Sequence, residues 1–240
     1  MNRERISYFP LNLYMVLLLS LWLLSWLLGV LQLLVEDTLV LRNLMTAEGV
    51  RWALRSSLNS VESAPWGVSM VLVAAYGAIK ASGLTQLFGG LLARRALTAV
   101  QRRAVVVASV MLLLYVVLLF VCTVAPWQFL LGATADVLVS PLIRGWLLVF
   151  FVGVLLVSLS YGYVYGNFRS AIDVLQGVGE NAKIFIPALL SLLPATAMLS
   201  CMQYMGIPAF LGIDIFSMEI VEDIVCFFPF CFVLCVHIKK

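Results

Sequence analysis

Charged residues are scarce in this 240-residue chain: they make up 11% of it, whereas soluble domains carry about 25%. Hydrophobic residues make up 63%, and the mean hydropathy is +1.08. Too few polar residues are present to cover a water-facing surface, so a water-soluble fold is excluded. The net charge of +3 is typical of basic anchoring residues in a membrane protein and predicts no nucleic-acid partner.

Patterns for metal binding and for disulfide bonds are also lacking. The single histidine, His237, lies beside the terminal lysines, and no two cysteines have the CxxC spacing of a zinc site. The five cysteines lie in or beside apolar runs, where a disulfide framework is not expected. We therefore predict no metal site and interpret the cysteines as small packing residues.

Catalytic signatures are missing as well. The sequence contains no glycine-rich phosphate loop, HExxH, GxSxG or P-loop, and no repeat of 20 to 50 residues. Nothing in it favours an enzyme, so we predict neither catalytic residues nor a cofactor.

What the chain does contain is long apolar runs. A helix that spans a membrane needs about 20 predominantly apolar residues. The sequence predicts six such helices, at about 11–34, 66–88, 104–125, 144–164, 184–206 and 221–238. Residues 126–143 are too interrupted to span twice and are predicted to be interfacial or re-entrant. The expected fold is a single all-α membrane domain over residues 1–240, with the lipid bilayer as its first partner.

The distribution of lysine and arginine predicts the orientation. On an alternating six-helix path, ten of these residues fall on the side of the two termini and four on the opposite side. The positive-inside rule then places both termini in the cytoplasm. The chain is therefore predicted to be a multi-pass membrane protein.

The gap between the first two runs has an amphipathic pattern. Thr46 is a plausible N-cap, after which Val50 and Leu54 share one helical face and Arg51 lies on another. We predict a helix over about 47–62 that lies in the outer membrane interface.

An ionisable residue and two prolines stand out inside the predicted spans. Lys80 lies about midway along the second run, where a charge needs a partner or a path to water. Three interpretations stay open: the side chain snorkels to the surface, binds substrate or an ion, or forms an intramolecular pair. Pro187 and Pro194 in the fifth run predict helix kinks, which transporters use to expose backbone to a cavity.

Two blocks of the sequence resemble the AbgT family of p-aminobenzoyl-glutamate transporters. The first covers about 10–95 and contains RNLMTAEGVRW and, later, SGLTQLF. The second is SYGYVYGNFRSAID and the helix that follows it, 160–207, in which Gln203 and Tyr204 match a QF element of the family. The resemblance implies a homodimeric transporter of an aromatic amino-acid conjugate, and it favours the inner (cytoplasmic) membrane of a bacterium over an organelle membrane.

The chain departs from that family in two motifs. Family members are about twice as long and carry two polar hairpin elements, similar to "SN-AsDaGY" and "GSaSaKWa", and neither string occurs here. The chain is thus expected to be a shortened member that lacks both substrate hairpins, with reduced activity. A carboxylate-bearing ligand would need cations or hydrogen-bond donors, and the residues we predict to supply them are Lys80, Gln203 and Ser200.

Two functions follow from these observations. The first is transport of p-aminobenzoyl-glutamate or a related anion by a homodimer. The alternative is a non-transporting structural or accessory subunit in a hetero-complex with another membrane protein, which keeps only the family scaffold. A decayed remnant without a selected role is a third interpretation, against which the intact charge asymmetry argues.

The predicted orientation can be tested with a fusion. A reporter enzyme that is active only in the periplasm, attached after Lys240, is expected to give no signal because the C-terminus lies in the cytoplasm. The same reporter placed in the predicted outer gap after residue 65 is the positive control. A strong signal from the C-terminal fusion would contradict the topology.

Overall fold

The computed structural model describes residues 6–34, 42–92, 96–124, 145–210, 212 and 215–238. Across these residues the chain forms helices and turns and no strand. The predicted interfacial or re-entrant segment, 126–143, and both charged termini lie outside the described residues.

Almost all of the described residues are helical. They are α1 (Phe9–Leu34), α2 (Ala47–Ser63), α3 (Trp66–Ser82), α4 (Leu84–Leu92), α5 (Ala99–Val124), α6 (Trp146–Tyr165), α7 (Ala171–Ala182), α8 (Ile186–Met205), α9 (Ile207–Phe210) and α10 (Ile215–Ile238). A 3-10 turn, Lys183–Phe185, joins α7 to α8.

Length and hydropathy agree with the predicted membrane fold. Among the described residues, five helical stretches are long and apolar enough to cross a membrane, and the bent pair α3 and α4 brings the number to six if it counts as one span. The prediction of an all-α membrane protein with about six spans is therefore confirmed.

Several helix bounds differ from the predicted ones. The second span is not one helix over 66–88, because α3 ends at Ser82 and α4 continues at an angle of 63°. The third helix begins at Ala99 rather than 104, since Thr98 and Gln101 form reciprocal side chain to backbone bonds of 3.0 and 3.3 Å that cap it. The last begins at Ile215 rather than 221.

The chain also divides into two compact units. The first unit comprises Met1–Pro65 and Ile184–Lys240, and the second comprises Trp66–Lys183. The first contains α1, α2, α8, α9 and α10, and the second contains α3 to α7.

In the first unit, α8 is the central helix and packs against α1, α2 and α10. Its side chains Ala188, Leu192 and Ala195 are completely buried, whereas Leu19 and Leu23 of α1 stay largely exposed. The alanines allow neighbouring helices to approach closely. The resulting van der Waals packing favours helix association inside a bilayer. The exposed leucines of α1 are suited to lipid.

The turn that leads into α2 is bonded to α1. The Leu44 N–H donates to Ser25 Oγ (2.6 Å), and Ser25 Oγ donates to Asn43 Oδ1 (2.9 Å). A Cβ at Gly29 would lie 2.0 Å from the Asn43 amide nitrogen, so only glycine admits this approach. The Gly49 N–H donates to Thr46 Oγ1 (3.0 Å), so Thr46 is the N-cap of α2, as predicted.

In the second unit, α3 packs against α6 and α7, and α5 packs against α6. Glycines set the distance between α3 and α7: a Cβ at Gly77 would lie 2.7 Å from the Val178 carbonyl oxygen, and one at Gly177 would lie 2.8 Å from the Ala81 Cβ. Larger residues at either glycine would push the two helices apart.

The break between α3 and α4 is stabilised by one side chain. Gly83 has φ +82°, a left-handed conformation that ends α3 and leaves backbone carbonyls without helical partners. Asn167 Nδ2 donates to the Ser82 oxygen (2.8 Å) and to the Ala81 oxygen (3.3 Å). The SGL and YGN elements of the two sequence blocks therefore meet at this break.

The Asn167 side chain is in turn positioned by the end of α6. Gly166 has φ +93°, and the Gly162 carbonyl oxygen accepts from the backbone N–H groups of Gly166, Asn167 and Phe168 at 3.0 to 3.2 Å. This is the glycine-terminated helix end that commonly satisfies terminal carbonyls.

Removing the Asn167 amide should destabilise the second unit. We expect Asn167→Ala to lower the free energy of unfolding by about 1 kcal/mol, because two carbonyls at the break lose a donor. Unfolding of the purified protein in mixed detergent measures the difference. Asn59→Ala, at an exposed position of α2, is the matched control. Equal stability of both variants and the wild type would show that Asn167 does not stabilise the break.

Candidate functional site

A polar cavity of about 250 Å³ lies in the first unit, between α8 and α10. Three polar side chains of α8 and three side chains of α10 contribute most of its wall, with Leu199 and Pro65 completing it. The polar lining residues are Thr196, Ser200, Gln203, Glu222, Asp223 and Cys226.

Helical spacing explains why these residues share one cavity. Thr196, Ser200 and Gln203 follow one another at intervals of four and three residues, which places them on one face of α8. Glu222 and Cys226 are four residues apart on α10 and also share a face. The two polar stripes therefore meet where α8 packs against α10.

A hydrogen bond joins the two stripes directly. Gln203 Nε2 donates to Glu222 Oε1 at 2.5 Å, so the glutamine amide is oriented by the carboxylate. Thr196 Oγ1 donates to the Leu192 oxygen of its own helix (3.0 Å), so its hydroxyl proton points away from a ligand. The chemistry that the cavity presents is dominated by acceptor oxygens, since an ionised carboxylate accepts and cannot donate.

The end of α8 next to Gln203 is held by aromatic and cationic contacts. Tyr204 stacks on Trp52 of α2 with ring centroids 4.2 Å apart, and the Arg42 guanidinium carbon lies 5.8 Å from the centre of the Tyr204 ring. The backbone N–H of Arg42 donates to the Met205 carbonyl oxygen (3.1 Å). The Arg42 side chain also brings a cation to the C-terminal end of α8, where positive charge is favourable. These contacts fix the last turn of α8 and hence the backbone that carries Gln203.

The structure brings together two of the three predicted substrate residues. Ser200 and Gln203 line the cavity, whereas Lys80 belongs to the second unit. Lys80 lies in the last turn of α3, exposed, with Nζ 5.8 Å from the Tyr76 ring one turn earlier. Because α3 ends at Ser82, the charge lies near the negative end of a helix and is favourable there.

The two predicted helix kinks differ in position. Pro187 is the second residue of α8, directly after the 3-10 turn Lys183–Phe185, and its missing N–H removes no hydrogen bond within α8. Pro194 lies in the helix interior and lacks the N–H that would bond to the Leu190 carbonyl. Since α8 continues without a break to Met205, any effect of Pro194 is a bend within a continuous helix.

Sequence reasoning missed the acidic half of the site. Glu222 and Asp223 lie at the start of the last predicted helix, 221–238, and were not among the predicted substrate residues, whereas the structure places both in α10 beside the cavity. The signal that could have found them is the four-residue spacing from Glu222 to Cys226. Among the described residues, no group of three or more histidine, cysteine, aspartate or glutamate side chains could hold a metal ion.

Comparison with known protein families gives a match. The family model described as the AbgT putative transporter family matches residues 90–236. This segment contains the second of the two resembling blocks, 160–207, and most of the first block lies before it. No curated protein and no solved structure matches the chain. Since the matched segment covers more than half of its 240 residues, the chain belongs to the AbgT transporter family.

Proposed function

We propose that the chain transports p-aminobenzoyl-glutamate or a closely related aromatic amino-acid conjugate across the inner membrane. Two observations support this: membership of a transporter family and several helices long and apolar enough to span a membrane. The observation that carries the proposal is the cavity between α8 and α10, where the predicted residues Ser200 and Gln203 meet.

The acceptor-rich chemistry of this cavity selects one end of such a ligand. The conjugate has an aromatic amine and an amide N–H as donors, and these are complementary to the carboxylates of Glu222 and Asp223. The ligand's own carboxylates would be repelled by those acids. We therefore assign the aminobenzoyl amide end of the conjugate to the cavity and its carboxylates to the space outside it.

The size of the cavity also supports the binding of only one end of the conjugate. Small-molecule sites typically occupy about 300–1,000 Å³, whereas this one measures about 250 Å³. The cavity is therefore suited to part of the conjugate, and we propose that binding is weaker and transport slower than in a site that encloses the whole ligand. We propose no catalytic activity for the chain, and we propose that it assembles as a homodimer.

Flux through reconstituted vesicles tests this proposal. Purified wild-type protein is expected to give saturable, gradient-driven uptake of labelled p-aminobenzoyl-glutamate. Gln203→Ala should reduce uptake at low substrate concentration about tenfold, because it removes a polar contact and leaves Glu222 without its amide donor.

The control for this variant is Gln176→Ala, at an exposed position of α7, which should transport like the wild type. Monodisperse elution of every variant establishes that it is folded. Uptake by folded wild-type protein that never exceeds empty vesicles would contradict transport itself. Saturable uptake that is identical in Gln203→Ala would contradict the assignment of the cavity.

Lys80 stays a predicted substrate contact and is tested separately. We expect Lys80→Met to abolish saturable flux and Lys80→Arg to retain most of it, because only the arginine keeps a cation for a carboxylate. The same vesicle assay measures both variants. Unchanged flux in Lys80→Met would remove Lys80 from the mechanism and leave it the role of stabilising the end of α3.

A further inference from the structure

A second cavity, of about 740 Å³, lies in the second unit among α3, α4, α5 and α6. Its walls are almost wholly apolar and include Leu84, Phe88, Leu119, Val149 and Val154. It is about three times as large as the polar cavity of the first unit and lies within the range typical of small-molecule sites.

The hydroxyl groups on its wall are already bonded to backbone. Tyr115 donates to the Val149 oxygen (2.8 Å), Ser158 donates to the Val154 oxygen (2.7 Å), and Thr123 donates to the Phe120 oxygen (2.8 Å). A ligand that needs hydrogen bonds would find these donors engaged and would lose its own bonds to water. The chemistry of the wall therefore favours hydrocarbon.

Several lining residues of the cavity are exposed on the surfaces of α5 and α6. Of its lining residues, Val116 and Phe120 of α5 are 54% and 62% exposed, and Phe150 of α6 is 58% exposed. Both helices are long and apolar enough to cross the membrane. The cavity thus opens beside exposed apolar side chains of two helices that are apolar enough to span a membrane.

We infer that this cavity binds one acyl chain of a membrane phospholipid. The chain enters sideways from the bilayer between α5 and α6, and its methylene groups contact Leu119, Val149 and Val154. Such a lipid is held in a concave site formed by several helices, unlike the lipids that cover the convex faces of α5. The inference is independent of the proposed transport activity.

Photolabelling of the intact protein tests the inference. The protein is reconstituted into vesicles of phosphatidylethanolamine and phosphatidylglycerol that contain phosphatidylethanolamine with a diazirine in one acyl chain. After irradiation, the labelled residues are mapped by mass spectrometry. Label is expected to concentrate on the lining residues of α5 and α6, above the level at outward-facing positions such as Val106 and Val110.

Two neighbouring substitutions separate the cavity from the general lipid surface. Val116→Trp fills the cavity and is expected to lose the concentrated label, whereas Val117→Trp, at a position of similar exposure (50%) outside the lining, should keep it. If Val116→Trp does not fold, Val154→Phe fills the cavity from the opposite wall. The inference would be overturned by label spread uniformly around α5 or by the absence of label from the lining residues. It would also be overturned if the variant with the filled cavity kept the full label.

Discussion

The need to satisfy backbone hydrogen bonds inside a bilayer limits every other feature of this chain. A helix meets the need within itself, but each interruption exposes N–H and C=O groups that water cannot reach. Two of the interruptions are supported by asparagines. Asn43 lies in the turn before α2, accepts a hydrogen bond from Ser25 of α1 and lies close to Gly29. The Asn167 amide donates to the carbonyls that the break at Gly83 exposes. In both places a glycine makes room for the amide.

Hydropathy predicts where the helices lie but not how they pack. Both α8 and α5 belong to strongly apolar spans, yet α8 is largely buried and α5 is largely exposed. Because lipid is as apolar as a protein core, sequence hydrophobicity does not distinguish the two environments. The small residues of α8, such as Ala188 and Ala195, were the available signal. Thr46 was predictable because an N-cap is a local feature.

The break in the second span and the acidic side of the polar cavity depend on tertiary structure. The left-handed conformation of Gly83 is stable because Asn167, 84 residues later, supplies a donor, and a local pattern does not reveal that partner. In the sequence, Glu222 resembles a surface residue at the start of an apolar run. In the structure, α10 begins at Ile215, so Glu222 lies within the helix. Ser200 and Gln203 could be chosen from the sequence because few polar residues interrupt the apolar runs.

The two units carry cavities of opposite chemistry. The first has acceptor oxygens on α10 facing an oriented amide on α8, which suits N–H donors of a conjugate. The second has apolar walls whose hydroxyls are bonded to backbone, which suits hydrocarbon. In our proposals, the first cavity provides specificity for the conjugate and the second binds lipid.

Protection of a single cysteine tests the assignment of the polar cavity most directly. Ser200→Cys is introduced after the five native cysteines are replaced, and the rate of its alkylation is measured with and without p-aminobenzoyl-glutamate. The account predicts slower alkylation with ligand at this position and no change at Ser109→Cys, an exposed position of α5. Equal rates at position 200 at saturating ligand would contradict the assignment.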